Sequence, residues 1–220
     1  MGMCMTVYEN VKSILMEIGT TKLVCVTKTV DPAKINESIR AGATIIGESR
    51  VKEYEDKRDE LLPCEKHLIG HLQSGKVKKA VEFFDVIQSV DSLKLIKEID
   101  EKARARTKVQ QVFLQVNIGS EPQKFGFAES EIPQMIAHIH ELRNIHVQGL
   151  MCIPPFDTPE ETRTYFRRMK NLFHALQQKN HDNIDIQELS MGMSNDYRIA
   201  IEEGATMVRI GSSIFGDRKY

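Results

Sequence analysis

Lysine is the side chain that attacks carbonyls, and Lys28 closes a short run, Lys22–Thr29, that is otherwise almost wholly apolar or β-branched. Side chains alternate along a strand, so Val24, Val26 and Lys28 share one face while Leu23, Cys25 and Thr27 share the other. Both faces stay apolar up to Lys28, as in a strand covered on both sides in a parallel sheet. An ammonium on such a face is costly unless it snorkels to water or has chemistry to do there. Two turns late in the chain have anion-binding character. Ser190-Met-Gly192-Met-Ser194-Asn195 and Arg209-Ile-Gly211-Ser212-Ser213 combine glycines, which allow close backbone approach, with hydroxyls ahead of helical segments, where free amides favour an anion. Ser194 or Asn195 alone could equally be a helix cap; two such turns in succession point to phosphate.

The elements that must position these groups are legible from periodicity. Val7, Val11, Ile14, Leu15 and Ile18 recur at helical spacing and predict an N-terminal amphipathic helix ending at Gly19. After it come strands expected at Lys22–Thr29, Thr44–Glu48, Lys66–His71, Asp85–Val90, Gln111–Ile118, Val147–Ile153, Ile186–Met191 and Thr206–Ile210. Helices fall between them: one started by Asp31-Pro32, then Val51–Leu62, Gly75–Phe83, Ser92–Ala105, Glu129–Leu142, Thr158–Lys179 and Asn195–Glu203, with a last turn near Ser212–Phe215. Strict alternation with short links means a parallel sheet, and eight pairs in 220 residues mean a single (β/α)8 barrel over residues 1–220. The extra N-terminal helix lies outside the count and could plug the barrel bottom. No Gly-x-Gly-x-x-Gly or Gly-x-x-x-x-Gly-Lys-Ser/Thr signature of an open nucleotide-binding sheet is present.

Composition removes several function classes. With 30 basic and 31 acidic residues the net charge is -1, which provides no general attraction to nucleic acid or an anionic membrane. The basic clusters Lys76-Val-Lys78-Lys79 and Arg167-Arg168-Met-Lys170 read as solvated helical faces. Cys4, Cys25, Cys64 and Cys152 are widely spaced, as expected of reduced thiols in a cytoplasmic protein. No apolar run approaches about 18 residues, and the N-terminus lacks a secretory signal; Met1–Thr6 matches the permissive myristoylation pattern, which an amphipathic helix start explains as well. The seven histidines lack metal-ligand spacing, so no metal is expected; His138 and His140, two apart on a helix, face different ways.

In a barrel of this class the working groups sit at the C-terminal strand ends, and phosphate is often held by the loops after the seventh and eighth strands. Closure makes the eighth strand a neighbour of the first. If Arg209 and Met207 face the lumen, a guanidinium lies beside Lys28 and favours the free amine over a second cation. A phosphorylated aldehyde is the ligand this asks for, and pyridoxal 5'-phosphate the obvious one. His67, Asn117 and Met151, near the ends of the third, fifth and sixth strands, are further candidates to touch its ring, though each is also an ordinary barrel residue. A cofactor-free aldolase or lyase acting on a phosphorylated sugar through Lys28 is an alternative.

Motifs along the chain carry a resemblance: Val26-Thr-Lys28-Thr, His67-Leu-Ile-Gly70-His-Leu-Gln73-Ser-Gly-Lys76, Gln115-Val-Asn117, Lys124-x-Gly126, Gly149-Leu-Met151-Cys-Ile-Pro154, Leu189-Ser-Met-Gly192-Met-Ser194-x-Asp196 and Met207-Val-Arg209-Ile-Gly211. In this order they resemble the pyridoxal phosphate homeostasis proteins, which look like the N-terminal barrel of alanine racemase standing alone; the resemblance spans residues 5–220. It implies that Lys28 holds the cofactor as a Schiff base, that Ser194, Gly211 and Ser212 hold its phosphate, that Arg209 faces the pyridine nitrogen, and that Lys124 takes part in cofactor transfer, with pyridoxal phosphate-dependent apoenzymes as recipients. Two positions depart from the family: Val30 replaces a second lysine, and Gly47-Glu48-Ser49-Arg50 replaces Gly-Glu-Asn-Tyr. An arginine can only donate, so it favours an unprotonated ring nitrogen and a weak electron sink. The second base of the related racemases comes from an extra domain, and the chain ends five residues after Phe215. The expectation is a monomeric carrier with little or no catalysis, against the alternative of a racemase or weak transaminase.

Overall fold

Eight strands pair in parallel, each with the next in sequence, until the eighth meets the first and closes a barrel. The computed structural model describes residues 5–155, 157–178 and 181–216; Cys4 and most of the lipidation pattern lie outside them. The strands are β1 (Lys22–Val26), β2 (Ile45–Glu48), β3 (Glu65–Leu68), β4 (Val86–Val90), β5 (Gln110–Val116), β6 (Ile145–Cys152), β7 (Ile184–Ser190) and β8 (Met207–Ile210). Around them run α1 (Val7–Ile18), α2 (Pro32–Arg40), α3 (Val51–Lys57), α4 (Val77–Phe83), α5 (Leu93–Arg104), α6 (Ile132–Ile139), α7 (Pro159–Gln177), α8 (Tyr197–Glu202) and α9 (Ser212–Phe215). No helix among the described residues is long and apolar enough to cross a membrane.

Alternation divides the apolar residues into two layers. Val24, Ile45, Val86, Phe113, Met151 and Met207 come from six strands and pack on one another inside the barrel. Leu23, Cys25, Ile46, Ile87, Leu114 and Val208 point outward into the larger core under the helices. Local chemistry sets the helix starts. The capping box of α1 pairs Thr6 with Glu9, and that of α7 pairs Thr158 with Glu161, with a proline in the first turn of α7.

Several boundaries differ from expectation, each for a local reason. The first strand ends at Val26, because Thr27 begins a turn closed by Val30 N–H on Thr27 O, with Thr29 at φ 61. Lys28 therefore sits on a turn at the strand's end. The third strand stops at Leu68, three residues short of His71. Gly70 then passes so close to Ser49 that an added Cβ would lie 2.2 Å from the Ser49 carbonyl oxygen. The expected helix at Asn195 starts only at Tyr197, capped by Asp196, which leaves Ser194 in the preceding turn. Nor does α1 plug the barrel bottom. Its apolar stripe joins the outer core, Asn10 Nδ2 donates to Ile214 O of α9 at 2.9 Å, and Tyr8 N donates to Glu37 of α2 at 2.9 Å. It lies in the outer ring, packed against α2, α9 and β1.

Candidate functional site

The C-terminal mouth of the barrel opens into a cavity of about 760 Å3 lined by Lys28, Lys124, Ser194, Arg209, Gly211 and Ser212, among others. Strand register explains the convergence. Arg209 is the β8 partner of Val24 in β1, so Lys28, four residues beyond Val24, rises above Arg209 at the rim. Met207 and Val24 fill the layer beneath.

The turn carrying Lys28 is held from below by a buried ion pair. Lys57 Nζ lies 2.7 Å from Glu48 Oε1 and donates to Thr27 O at 2.8 Å. Thr27 Oγ1 donates to the same carboxylate at 2.5 Å, while Glu53 accepts Thr29 N–H and lies 3.3 Å from Lys57. Glu48 has no solvent exposure, and burial raises its pKa above the usual carboxylate range against the opposing charge of Lys57. Both flanks of Lys28 are thus fixed while its own side chain stays half-buried at the mouth.

On the β7–β8 side of the mouth Ser194 Oγ accepts from Gly211 N and Ser213 N, both at 3.4 Å. Two backbone amides therefore converge on one oxygen, the geometry a phosphate oxygen asks for. Gly192, at φ 92, makes the turn possible, since a side chain there would press on Ala200. Asp196 accepts Met193 N–H at 2.6 Å, and burial raises its pKa.

Arg209 is almost wholly buried and heads a polar chain that crosses the lumen. Its Nη1 donates to Ser190 Oγ at 2.8 Å and its Nη2 to Cys152 O at 2.9 Å. Ser190 Oγ donates to Gln88 Oε1 at 2.7 Å, and Gln88 Nε2 faces His67 Nδ1 at 2.6 Å. His67 Nε2 lies 2.8 Å from Glu65 at the other end of the barrel. The donors settle every direction. Arginine can only give, so Ser190 accepts from it and gives to Gln88 Oε1; Gln88 Nε2 then gives to His67 Nδ1, leaving His67 Nε2–H for the Glu65 carboxylate. Burial lowers the pKa of Arg209, with Cys152 and Asp196 opposing. Replacing Gln88 by leucine is expected to strand both Ser190 and His67 and to cost about 1–3 kcal/mol, read as a lower urea midpoint with unchanged slope.

The remaining candidates fall differently. Lys124 lines the mouth, in an ion pair with Glu121 at 2.5 Å and donating to Pro154 O at 3.1 Å. Asn117 does not line the cavity: its amide donates to Glu121 O and Lys124 O and accepts from Glu121 N, ordering the loop that carries Lys124. Met151 is fully buried in the lumen layer, and His67 lies buried edge-on to Phe113 at 6.2 Å; both sit below the cavity rather than on its wall. Val30 packs against the outer core. Lys57 and Gln88 stand in no motif of the sequence, and the motifs that contain Glu48 and Ser190 do not show their buried partners. Gln88-Ser89 inside the otherwise apolar Val86–Val90, and glutamate at the end of Ile45–Glu48, were the available signals.

A closed parallel barrel with a lysine at the end of its first strand and an anion turn after its last two defines the alanine racemase type of barrel. The family model described as alanine racemase, N-terminal domain, matches residues 5–219. Solved alanine racemases share the fold: that of Clostridium difficile superposes with a TM-score of 0.77 at 18% identity, over 97% of this chain and 59% of that one. Within this type, the pyridoxal phosphate homeostasis protein of Aquifex aeolicus is 42% identical over 202 residues, covering 90% of this chain and 88% of that protein. PipY of Synechococcus elongatus, solved without pyridoxal phosphate, gives a TM-score of 0.91 at 35% identity, over 96% of this chain and 100% of that one; its form with the cofactor bound gives 0.88. The chain belongs to the pyridoxal phosphate homeostasis protein family.

Proposed function

We propose that this protein binds pyridoxal phosphate as a Schiff base on Lys28 and stores and delivers it within the cytoplasm, with little or no catalysis of its own. The observation that carries the reading is the single cavity shared by Lys28, Arg209 and the Ser194–Ser212 cradle. These residues fit the cofactor by chemistry: an amine for the aldehyde, a hydroxyl with convergent amides for the phosphate, and a buried guanidinium against the ring nitrogen. When bound, the cofactor would supply an electron sink, which an arginine donating to an unprotonated nitrogen keeps weak.

The other ionisable groups at the mouth support a carrier. Racemisation needs a free acid–base group on each face of the substrate. Lys124 is paired with Glu121, and Asp196 is engaged by the Met193 amide. Lys124, on its ordered loop at the cavity edge, is the residue we assign to release of cofactor toward recipient apoenzymes. The protein is taken to act as a monomer.

Borohydride treatment of the cofactor-loaded protein followed by peptide mass analysis tests the assignment. A pyridoxyl adduct on Lys28 is the expected result; a sugar adduct would favour the aldolase reading, and an adduct elsewhere would overturn the site. Amino-acid racemase turnover is expected to stay well below about 1 s⁻¹, and a steady-state rate at or above it would overturn the non-catalytic part.

A further inference from the structure

Beside the cavity just described, and joined to it through Lys28, Ser49 and Gly70, a second cleft of about 440 Å3 opens between the ends of β2 and β3. Its lining includes Lys28, Arg50, Lys52, His71 and Lys76 and no carboxylate. Two of the basic groups are already balanced: Lys52 pairs with Asp56 at 2.5 Å, and His71 Nδ1 meets Asp91 at 2.8 Å. Lys28, Arg50 and Lys76 have no ion-pair partner among the described residues. His71 is further fixed by stacking on Phe125, with ring centroids 3.5 Å apart and planes 9° from parallel. Around the barrel this puts cations on the β2–β3 side of Lys28, and the phosphate cradle of Ser194, Gly211 and Ser212 on its β7–β8 side.

We propose that this cleft is a second oxyanion site. It takes the carboxylate or phosphate of a small molecule that lies next to the cofactor rather than in its place. The inference rests on the reading of Lys28 as the cofactor-holding amine. One phosphorylated aldehyde cannot use both sides at once, since its phosphate belongs to the convergent amides on the β7–β8 side of Lys28. With Lys28 engaged by the cofactor, Arg50 and Lys76 are two unbalanced cations on one cleft and favour an anion there by charge, and the guanidinium of Arg50 can grip a carboxylate or phosphate through two parallel hydrogen bonds.

Calorimetric titration of the pyridoxal phosphate-loaded protein at low salt tests the proposal, using succinate and inorganic phosphate as probes, neither of which can form an imine. Saturable binding of a probe, weakened about tenfold or more in the Arg50→Ala/Lys76→Ala double variant, is expected. The cofactor's visible spectrum and the thermal midpoint should match wild type, since both side chains are exposed. Preference for succinate identifies a carboxylate ligand, and preference for phosphate a phosphate ester. Absence of saturable binding by either probe, or displacement of the cofactor by the probe, would overturn the second site. If the wild-type protein takes no pyridoxal phosphate, the functional reading fails, yet the same titration of the unloaded wild type against the double variant still tests the cleft.

Discussion

Lys28→Ala is expected to abolish the imine absorbance of the cofactor-loaded protein and to weaken pyridoxal phosphate binding about 100-fold or more, equivalent to about 3 kcal/mol or beyond. The physical reason is the loss of a covalent link, with the phosphate cradle and Arg209 left as the only anchors. The fold should survive, because Lys28 is half-buried on a turn whose geometry is set by its neighbours and not by its own side chain. Equilibrium dialysis gives the affinity, and a thermal scan checks the fold. Retention of near-native affinity would mean that the anchors around the mouth carry the binding and that the amine is incidental.

Lys57→Met is expected to be the most destabilising single change near the site, at about 3–5 kcal/mol at neutral pH. Lys57 is buried against Glu48 at 2.7 Å, and Thr27 O would lose one of its two donors with it, keeping only Val30 N–H. The penalty should depend on pH with a definite sign. Burial raises the pKa of Glu48 and Lys57 opposes the rise, so the folded state holds this proton more tightly than the unfolded one. Stability on this account falls as pH climbs from the ordinary carboxylate range through the folded pKa, and is flat above it. Removing Lys57 deepens that fall, so the cost should be clearly smaller near about pH 5 than at about pH 7, measured as urea midpoints. Glu48→Gln combined with Lys57→Met should recover part of the loss, because no buried charge is then left alone. A loss below about 1 kcal/mol, or one indifferent to pH, would show that the pair does not hold the lysine turn. Cofactor affinity should fall in Lys57→Met too, as the turn loosens.

The two changes probe different layers of the same construction. The first removes the amine we propose to meet the ligand, and the second removes what holds its turn in place. The chain across the lumen from Arg209 to Glu65 does the corresponding work for Arg209, since Ser190 and Cys152 O hold the guanidinium in one orientation.

Much of this was legible in the residues themselves. Alternation along Val24–Val26 and Met207–Arg209 determined which side chains share a face, and the strict succession of strand and helix patterns determined a parallel closed sheet. Those are local properties, written in a period of two or of 3.6 residues, and they survive whatever the rest of the chain does. They were sufficient to bring Lys28, Arg209 and the two glycine-hydroxyl turns to one end of the barrel. The tertiary structure decided what depends on register and on long-range pairing. It ended β1 before Lys28, because Glu48 and Lys57, from β2 and α3, claim Thr27. It moved α1 to the outer ring and sank His67 and Met151 below the cavity floor. It also threaded a hydrogen-bonded chain through Gln88 and Ser190, which lie 102 residues apart and carry no common motif. Periodicity says which face a residue occupies; only the closed barrel's stagger says how high in the lumen it stands and which polar group from another strand lies within reach.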